Sequence, residues 1–240
     1  MEPYERTAEA YDLIQKARGH SYPQDAERLA ALIHERCPNA ASLLDVACGT
    51  GLHLMAFREM FAEVAGVDIS APMLDRAKAR LDGVDLRLGD MRTFSFDRTF
   101  DVVTCMFSAI GSMLTIEDLR AALENMARHV APGGVLIVEP WIEPADWKVP
   151  YVTAEAGKDE RIAVARASTN GVRGRISTFT LHWTIVSVDS ADYIVEDYEL
   201  GLFTAHEYLD GFGAARLTAE RLDDGPHGRG LFVGTKPKKV

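Results

Sequence analysis

Leu43-Leu44-Asp45-Val46-Ala47-Cys48-Gly49-Thr50-Gly51 is an apolar run with one acid in it that breaks into two glycines. Hydrophobic residues follow at helical spacing, at Leu52, Met55, Phe57 and Met60. This order predicts a buried strand, a tight turn and a helix. Glycines let the backbone approach a ligand with no side chain between them. The helix start then offers unpaired N–H groups to an anionic part of that ligand.

Glu63-Val64-Ala65-Gly66-Val67-Asp68 predicts a second strand that ends in an acid. Asp68 stands close to the roughly 20-residue spacing at which a nucleotide-binding fold places a carboxylate on ribose hydroxyls. The plain alternative is an acid that precedes a helix capped by Ser70. That helix carries Met73, Leu74, Ala77 and Leu81 as a core stripe, and Met73 is near enough to its start to touch a planar base. Leu86-Arg87-Leu88-Gly89-Asp90-Met91 predicts a short strand ending in Gly-Asp. Phe100 to Phe107 reads as a buried fourth strand, and Thr115-Ile116-Glu117-Asp118 opens a capped helix. Ala131-Pro132-Gly133-Gly134 predicts a turn before a fifth strand, Val135 to Glu139. Alternation of strand and helix from Leu43 to Trp141 implies a mostly parallel sheet covered on both faces, a Rossmann-like α/β fold.

Upstream, residues 4–17 have helical periodicity, and Pro23 opens a second helix after the loop Arg18-Gly19-His20-Ser21-Tyr22. Downstream the period changes to two, clearest in Arg175-Ile176-Ser177-Thr178-Phe179-Thr180-Leu181-His182-Trp183. This predicts antiparallel strands with turns at Asn170-Gly171 and Asp189-Ser190. Thr204 to Gly211 is helical again, and Arg216 to Leu222 and Leu231 to Gly234 read as closing strands. The expected division is 1–37 as N-terminal helices over the active site, 38–142 with 204–240 as the α/β core, and 143–203 as an inserted antiparallel sheet. An insertion after the fifth strand sits at the carboxyl ends of the strands, where ligands bind, a place for a substrate wall.

The chain has 240 residues of which 47% are hydrophobic, ample for one core. A net charge of −10 with no basic stripe argues against nucleic acid as a partner. No run of eighteen apolar residues is present, so no membrane span is expected. The scattered Cys37, Cys48 and Cys105 and a start without a signal-peptide profile point to reduced thiols and a cytoplasmic protein. His20, His53 and His206 have no metal-ligand spacing, and no metal is expected. A homodimer is left open.

Asp45 to Gly51, read as D-x-A-C-G-T-G, resembles the first motif of class I S-adenosylmethionine (SAM) methyltransferases. A dinucleotide site would want a third glycine where Leu54 stands, which ranks an NAD-linked oxidoreductase last. Gly89-Asp90 matches the methyltransferase pattern in which an acid faces the adenine amino group. Further stretches are Tyr11-Asp12-Leu13, Arg18-Gly19, Met106-Phe107-Ser108-Ala109-Ile110-Gly111, Val138-Glu139-Pro140-Trp141, Leu202-Phe203, and Gly225-Pro226-His227-Gly228-Arg229-Gly230-Leu231-Phe232-Val233-Gly234. Together they resemble the N-methyltransferases of dTDP-linked 3-amino-deoxyhexoses, as in desosamine or mycaminose biosynthesis, over nearly the whole chain.

The resemblance implies SAM as cofactor, S-adenosylhomocysteine as product, and a nucleotide-sugar substrate of antibiotic-type biosynthesis. It implies a cofactor site of Arg18, Asp45, Ala47, Gly49, Gly51, Asp68, Ile69, Met73, Asp90, Met91 and Met106, with Arg18 on the methionine carboxylate. It implies a substrate side of Tyr11, Trp141, Ser168 and Arg229, with Tyr11 as the candidate catalytic residue. Ser112 fills a substrate-wall slot, Arg166 is a further cation for the diphosphate, and His182 is the histidine that a hydroxyl acceptor would need as base. Some members carry His where Ser112 stands, a second Trp where Ile142 stands, and another His where Thr169 stands. These departures bear on which sugar is used more than on the reaction.

Plain readings stand beside these roles. Tyr11 is also a helix-face packing residue, Trp141 an edge residue, and His182 reads first as a structural histidine on an alternating strand. Arg229 lies between two glycines, where an arginine gains little from packing, so a ligand anion is expected there. An O- or C-methyltransferase of another small metabolite, or a SAM-binding module without turnover, remains as the alternative.

Overall fold

Two helices, α1 (Ala8–Ala17) and α2 (Tyr22–Arg36), precede the first strand in the computed structural model, which describes residue 4 and residues 6–238. β1 (Ser42–Val46) is buried from Leu43 onward, and α3 (Leu52–Phe57) follows the glycine turn. The chain continues through β2 (Glu63–Asp68), α4 (Ala71–Arg80), β3 (Asp85–Leu88), β4 (Phe100–Cys105), a 3₁₀ turn at Ala109–Ser112, α5 (Ile116–Arg128) and β5 (Val130–Val138). Four long strands come next: β6 (Val152–Lys158), β7 (Ile162–Arg173), β8 (Ile176–Ser187) and β9 (Ala191–Gly201). α6 (Ala205–Ala214), β10 (Thr218–Leu222) and β11 (Leu231–Thr235) close the fold. Among the described residues no helix is long and apolar enough to cross a membrane.

The first sheet has seven strands in the order β10-β11-β5-β4-β1-β2-β3. β1 to β5 pair in parallel, and β11 joins β5 antiparallel. The fold class read from the strand–helix alternation is therefore the one observed. Strand order reverses between β1 and β4, and the crevice at the carboxyl ends of such strands is where an open α/β sheet binds its ligands. Side-chain caps start three of the helices, at Ser70, Thr115 and Thr204. Thr115 accepts the Asp118 N–H at 3.0 Å, and Thr204 with Glu207 forms a capping box on α6.

β6 to β9 form a separate antiparallel sheet. Along β7 burial alternates strictly from Ile162 to Asn170. The covered face packs against α1, where Ala10 and Ile14 meet Val164, Trp183 and Ile194 in one cluster. Trp183 is fully buried and is the largest side chain of that cluster.

Two turns differ from the sequence reading. Asn170-Gly171 does not reverse the chain: β7 runs through it to Arg173, and the reversal falls at Gly174, whose φ is +62°. The Asn170 amide instead donates to the Tyr151 carbonyl at 3.1 Å, and Gly171 pairs with Thr178 in the ladder. Residues 131–134 are not a free turn either. β5 begins at Val130 opposite Phe100, and a register shift between Phe100 and Val102, with Gly133 at φ +84°, takes up the bend.

The two glycines of the motif do different jobs. A Cβ on Gly51 would lie 2.7 Å from Leu81 Cδ1 and 3.0 Å from Ala77 Cβ, so this glycine is what lets the turn rest on α4. A Cβ on Gly49 would meet nothing within 4 Å. Both have positive φ, at 81° and 55°. Gly49→Ala should therefore lose only the left-handed penalty of about 1–2 kcal/mol. Gly51→Ala should add overpacking of about 1–3 kcal/mol. Urea denaturation of the two variants checks the order, and equal losses would mean that the turn does not depend on contact with α4.

Candidate active site

A cavity of about 410 Å³ lies between the carboxyl ends of β1, β2 and β4 and the covered face of the second sheet. One end is built from the glycine turn. Ala47, Gly49, Asp68, Ile69, Met73, Met91 and Met106 line it. Ala47 sits at φ 59°, a left-handed conformation that a residue with a side chain adopts only where its surroundings enforce it. Asp68 supplies part of that enforcement. One of its oxygens accepts the Gly49 N–H at 2.8 Å and the other accepts the Ser70 N–H at 2.8 Å. Burial raises its pKa, and these backbone N–H groups oppose the rise. The Ile69 N–H is a third backbone donor to this carboxylate, whose four or so acceptor sites still leave capacity for a ligand hydroxyl.

α1 is tied over this turn. Thr50 donates to Asp12 at 2.7 Å, and Arg80 of α4 donates to Asp12 at 2.6 Å and to the Thr50 carbonyl at 2.9 Å. The clasp fixes the helix that carries Tyr11, Gln15 and Arg18, all of which line the cavity. The Tyr11 phenol is pushed up to about 12, first by burial and then by Asp12, so it is held protonated at neutral pH.

The other end is polar and comes from the second sheet. Register pairs Arg166 with Trp183, Ser168 with Leu181 and Asn170 with Phe179, so these residues stand in rows on the covered face. Glu155 of β6 joins them, 3.7 Å from Arg18 and 3.3 Å from Arg166. The Arg166 guanidinium lies 5.2 Å from the Trp183 ring. Ser168 shares a 2.7 Å hydrogen bond with Thr153. Ser112 and Trp141 complete the wall, with the Trp141 indole N–H donating to Ser177 at 3.0 Å.

Five expected site residues stand elsewhere. Asp45 is 2% exposed beneath the turn, accepts the Thr104 hydroxyl at 2.8 Å and has its pKa raised to about 6 by burial. Gly51 faces α4 rather than the cavity. Asp90 is held by Arg92 at 2.6 Å, and Arg92 also binds Asp118 at 2.7 Å. His182 alternates with the inward Leu181 and Trp183, so it projects from the opposite face, where its Nδ1 meets the Tyr193 hydroxyl at 2.6 Å. Arg229 lines a neighbouring cavity of about 200 Å³ that shares Trp141 with the larger one. It does pack, contrary to the expectation from its flanking glycines: its guanidinium lies 5.1 Å from the Trp141 ring and 3.5 Å from Glu139.

The sequence reading passed over Gln15, Tyr151, Glu155, Asn170, Trp183 and Tyr198 as lining residues. A signal was present for some of them. β7 buries Arg166, Ser168 and Asn170 on the same phase as Ile162 and Val164, and polar residues on a covered face need partners or a ligand. Glu139, which is fully buried, and His227 were read only as family markers.

A family model described as a methyltransferase domain matches residues 43–134. The chain is 42% identical over 228 residues to the dTDP-3-amino-3,6-dideoxy-alpha-D-glucopyranose N,N-dimethyltransferase of Streptomyces fradiae, covering 95% of this chain and 89% of that protein. Among solved structures, DesVI of Streptomyces venezuelae superposes with a TM-score of 0.91 at 40% identity, covering 96% of this chain and 98% of that one. SAM-bound CalS10, an amino pentose methyltransferase of calicheamicin biosynthesis from Micromonospora echinaspora, gives 0.86 at 38% identity over 95% and 96% of the two chains. With identity of this depth across nearly the full length of both partners, the chain belongs to the methyltransferase family, in the branch that holds these aminosugar N-methyltransferases.

Proposed function

We propose that this enzyme transfers methyl from SAM to the amino group of a nucleotide-linked amino-deoxysugar. One observation carries the reading: a single cavity joins the glycine turn and Asp68 to the polar rows on β6 and β7, with Tyr11 lining it too. Its volume of about 410 Å³ is within the ordinary range for small-molecule sites, about 300–1,000 Å³. The names of the relatives, which act on dTDP-linked aminohexoses or on an amino pentose, support the acceptor class.

The turn fits the donor. The open space beyond Gly49 is a cradle that a Cβ would fill. Asp68 has acceptor capacity left for ribose hydroxyls, and Ile69, 59% exposed at the rim, offers apolar surface to a base. When bound, SAM supplies a sulfonium methyl that a neutral amine can attack. The chain's task is then alignment, and orientation of this kind is worth roughly 7–11 kcal/mol. A simple alkylamine titrates near about 10.4, and neighbouring sugar oxygens and a nearby cation both lower that figure. Tyr11, held as a phenol, orients the amine rather than taking its proton.

Asp68→Ala should weaken SAM binding at least about tenfold, since each charge-assisted hydrogen bond is worth roughly 1.5–3 kcal/mol. Calorimetric titration checks this, and an unchanged Kd would remove Asp68 from the ribose site. Tyr11→Phe should lower kcat by about tenfold, short of the 10²–10⁴ lost with a general base, and leave the pH dependence of kcat in place. If the variant loses a limb of the pH profile, Tyr11 is the base. Arg229→Ala should raise KM for a dTDP-3-aminohexose and leave SAM affinity near normal, the pattern of lost ground-state binding. Arg229→Lys should recover only part of it, because an ammonium cannot form the bidentate fork. The free aminosugar is the control: a wild type that prefers it would sink the nucleotide-sugar reading and leave methyl transfer standing.

A further inference from the structure

Behind the wall formed by Phe107 and Trp141 lies a buried cluster of ionisable groups, of which the proposed function uses only Arg229. Glu139 follows β5, is 0% exposed and accepts the Phe107 N–H at 2.7 Å. His227 Nδ1 stands 2.8 and 2.9 Å from its two oxygens. His227 Nε2 lies 3.3 Å from Asp25 of α2, and Arg229 lies 3.5 Å from Glu139. Two carboxylates thus face two cations. His53 of α3 approaches Asp25 at 3.9 Å, and His20, beyond α1, meets the His227 ring edge-on with centroids 4.6 Å apart. His20 is pushed down to about 4, first by burial and then by the charges of His227 and Arg18, so it adds no charge. Burial alone would lower His227 as well. The Asp25 carboxylate at ion-pair distance and the hydrogen-bonded Glu139 carboxylate lift it to about 9.

We propose that His227, clamped between Asp25 and Glu139, is a positioning residue for Arg229: by matching the buried Glu139 charge it leaves the guanidinium for an anionic group of the substrate. The inference rests on the reading that Arg229 binds the nucleotide-sugar diphosphate. A buried carboxylate stripped of one partner must find another. The nearest cation is Arg229, and drawing it inward withdraws it from the substrate. The sign with pH follows. Below about 9 His227 carries its proton and shares the Glu139 charge, so Arg229, at 3.5 Å, is only one of two cations on that carboxylate and keeps its other N–H groups for the substrate. As pH rises through that value the proton leaves, Glu139 turns to Arg229, and KM for the nucleotide sugar rises. The stability contributed by the clamp is likewise present below the ordinary histidine pKa and lost over the same rise.

The test is steady-state kinetics with a dTDP-3-aminohexose, alongside calorimetric SAM titration. His227→Gln should raise KM about tenfold, the size of one weakened charge-assisted contact, with kcat and SAM Kd held within about twofold. Adding Glu139→Gln should bring KM back, since an amide still accepts the Phe107 N–H but has no charge to draw Arg229. A merely structural role predicts further loss in the double variant. The proposal is overturned if His227→Gln leaves KM unchanged, if KM and SAM Kd rise together, or if the double variant does not recover. If Arg229→Ala also leaves KM unchanged, the nucleotide-sugar reading has failed first. If Arg229→Ala raises KM and His227→Gln does not, only the positioning role has failed. Should His227→Gln not fold, the wild-type profile decides. A KM that climbs above about pH 9 and is flat in Arg229→Ala supports the role, and a KM that stays level overturns it.

Discussion

The Gly49 N–H that donates to the Asp68 carboxylate at 2.8 Å ties the first turn of the fold to the end of the neighbouring strand. β1 and β2 are parallel neighbours, so their carboxyl ends emerge side by side, and this one bond spans them. It holds Gly49 at positive φ and leaves the strained Ala47 facing the cavity. The same carboxylate reaches forward to Ser70 at the start of α4, and α4 in turn supports Gly51 from below. A loop fixed from three sides loses little entropy when a ligand arrives, which is what preorganisation means energetically.

The second half of the site comes from a sheet that could not cover itself. β6 to β9 present one face to solvent and one face that mixes Val164, Trp183 and Ile194 with Arg166, Ser168 and Asn170. The apolar part is closed by α1. The polar part is left as the cavity wall, where Glu155 balances Arg18 and Arg166. α1 touches both halves, through Asp12 to Thr50 and Arg80 on one side and through Ala10 and Ile14 on the other. It therefore sets the distance between the glycine turn and the sheet.

Buried charge is used twice with opposite bias. Asp45 lies in the sheet with the Thr104 hydroxyl as its hydrogen-bond donor, and burial raises its pKa toward the neutral acid. Glu139 is buried as deeply, but a backbone N–H, His227 and Arg229 converge on it. The first carboxyl joins β1 to β4 at the base of the crevice. The second gathers the segment after β4, α2 through Asp25, and the loop before β11 into one ionic cluster.

The alternation of strands and helices, the glycine turn and the change of period after residue 150 were all legible in the chain, because they are set by local spacing. Periods of 3.6 and 2 are properties of neighbouring residues. The inward phase of the second sheet was not legible. His182 and Leu181 are adjacent and both plausible, and only α1 lying on one face decides that Leu181 is inward and His182 is not. The Asn170-Gly171 turn failed for a similar reason: a hairpin signal yields to a longer ladder when Asn170 finds the Tyr151 carbonyl. Asp90 and Arg229 show the same limit in charge. Sequence marks an ionisable residue, but its partners come from what folds against it, here Arg92 for Asp90, and Glu139 with the Trp141 ring for Arg229. Sequence by itself determined the sheet and its turn. Tertiary structure decided which faces and which charges remain for chemistry, because burial and pairing join residues far apart in the chain.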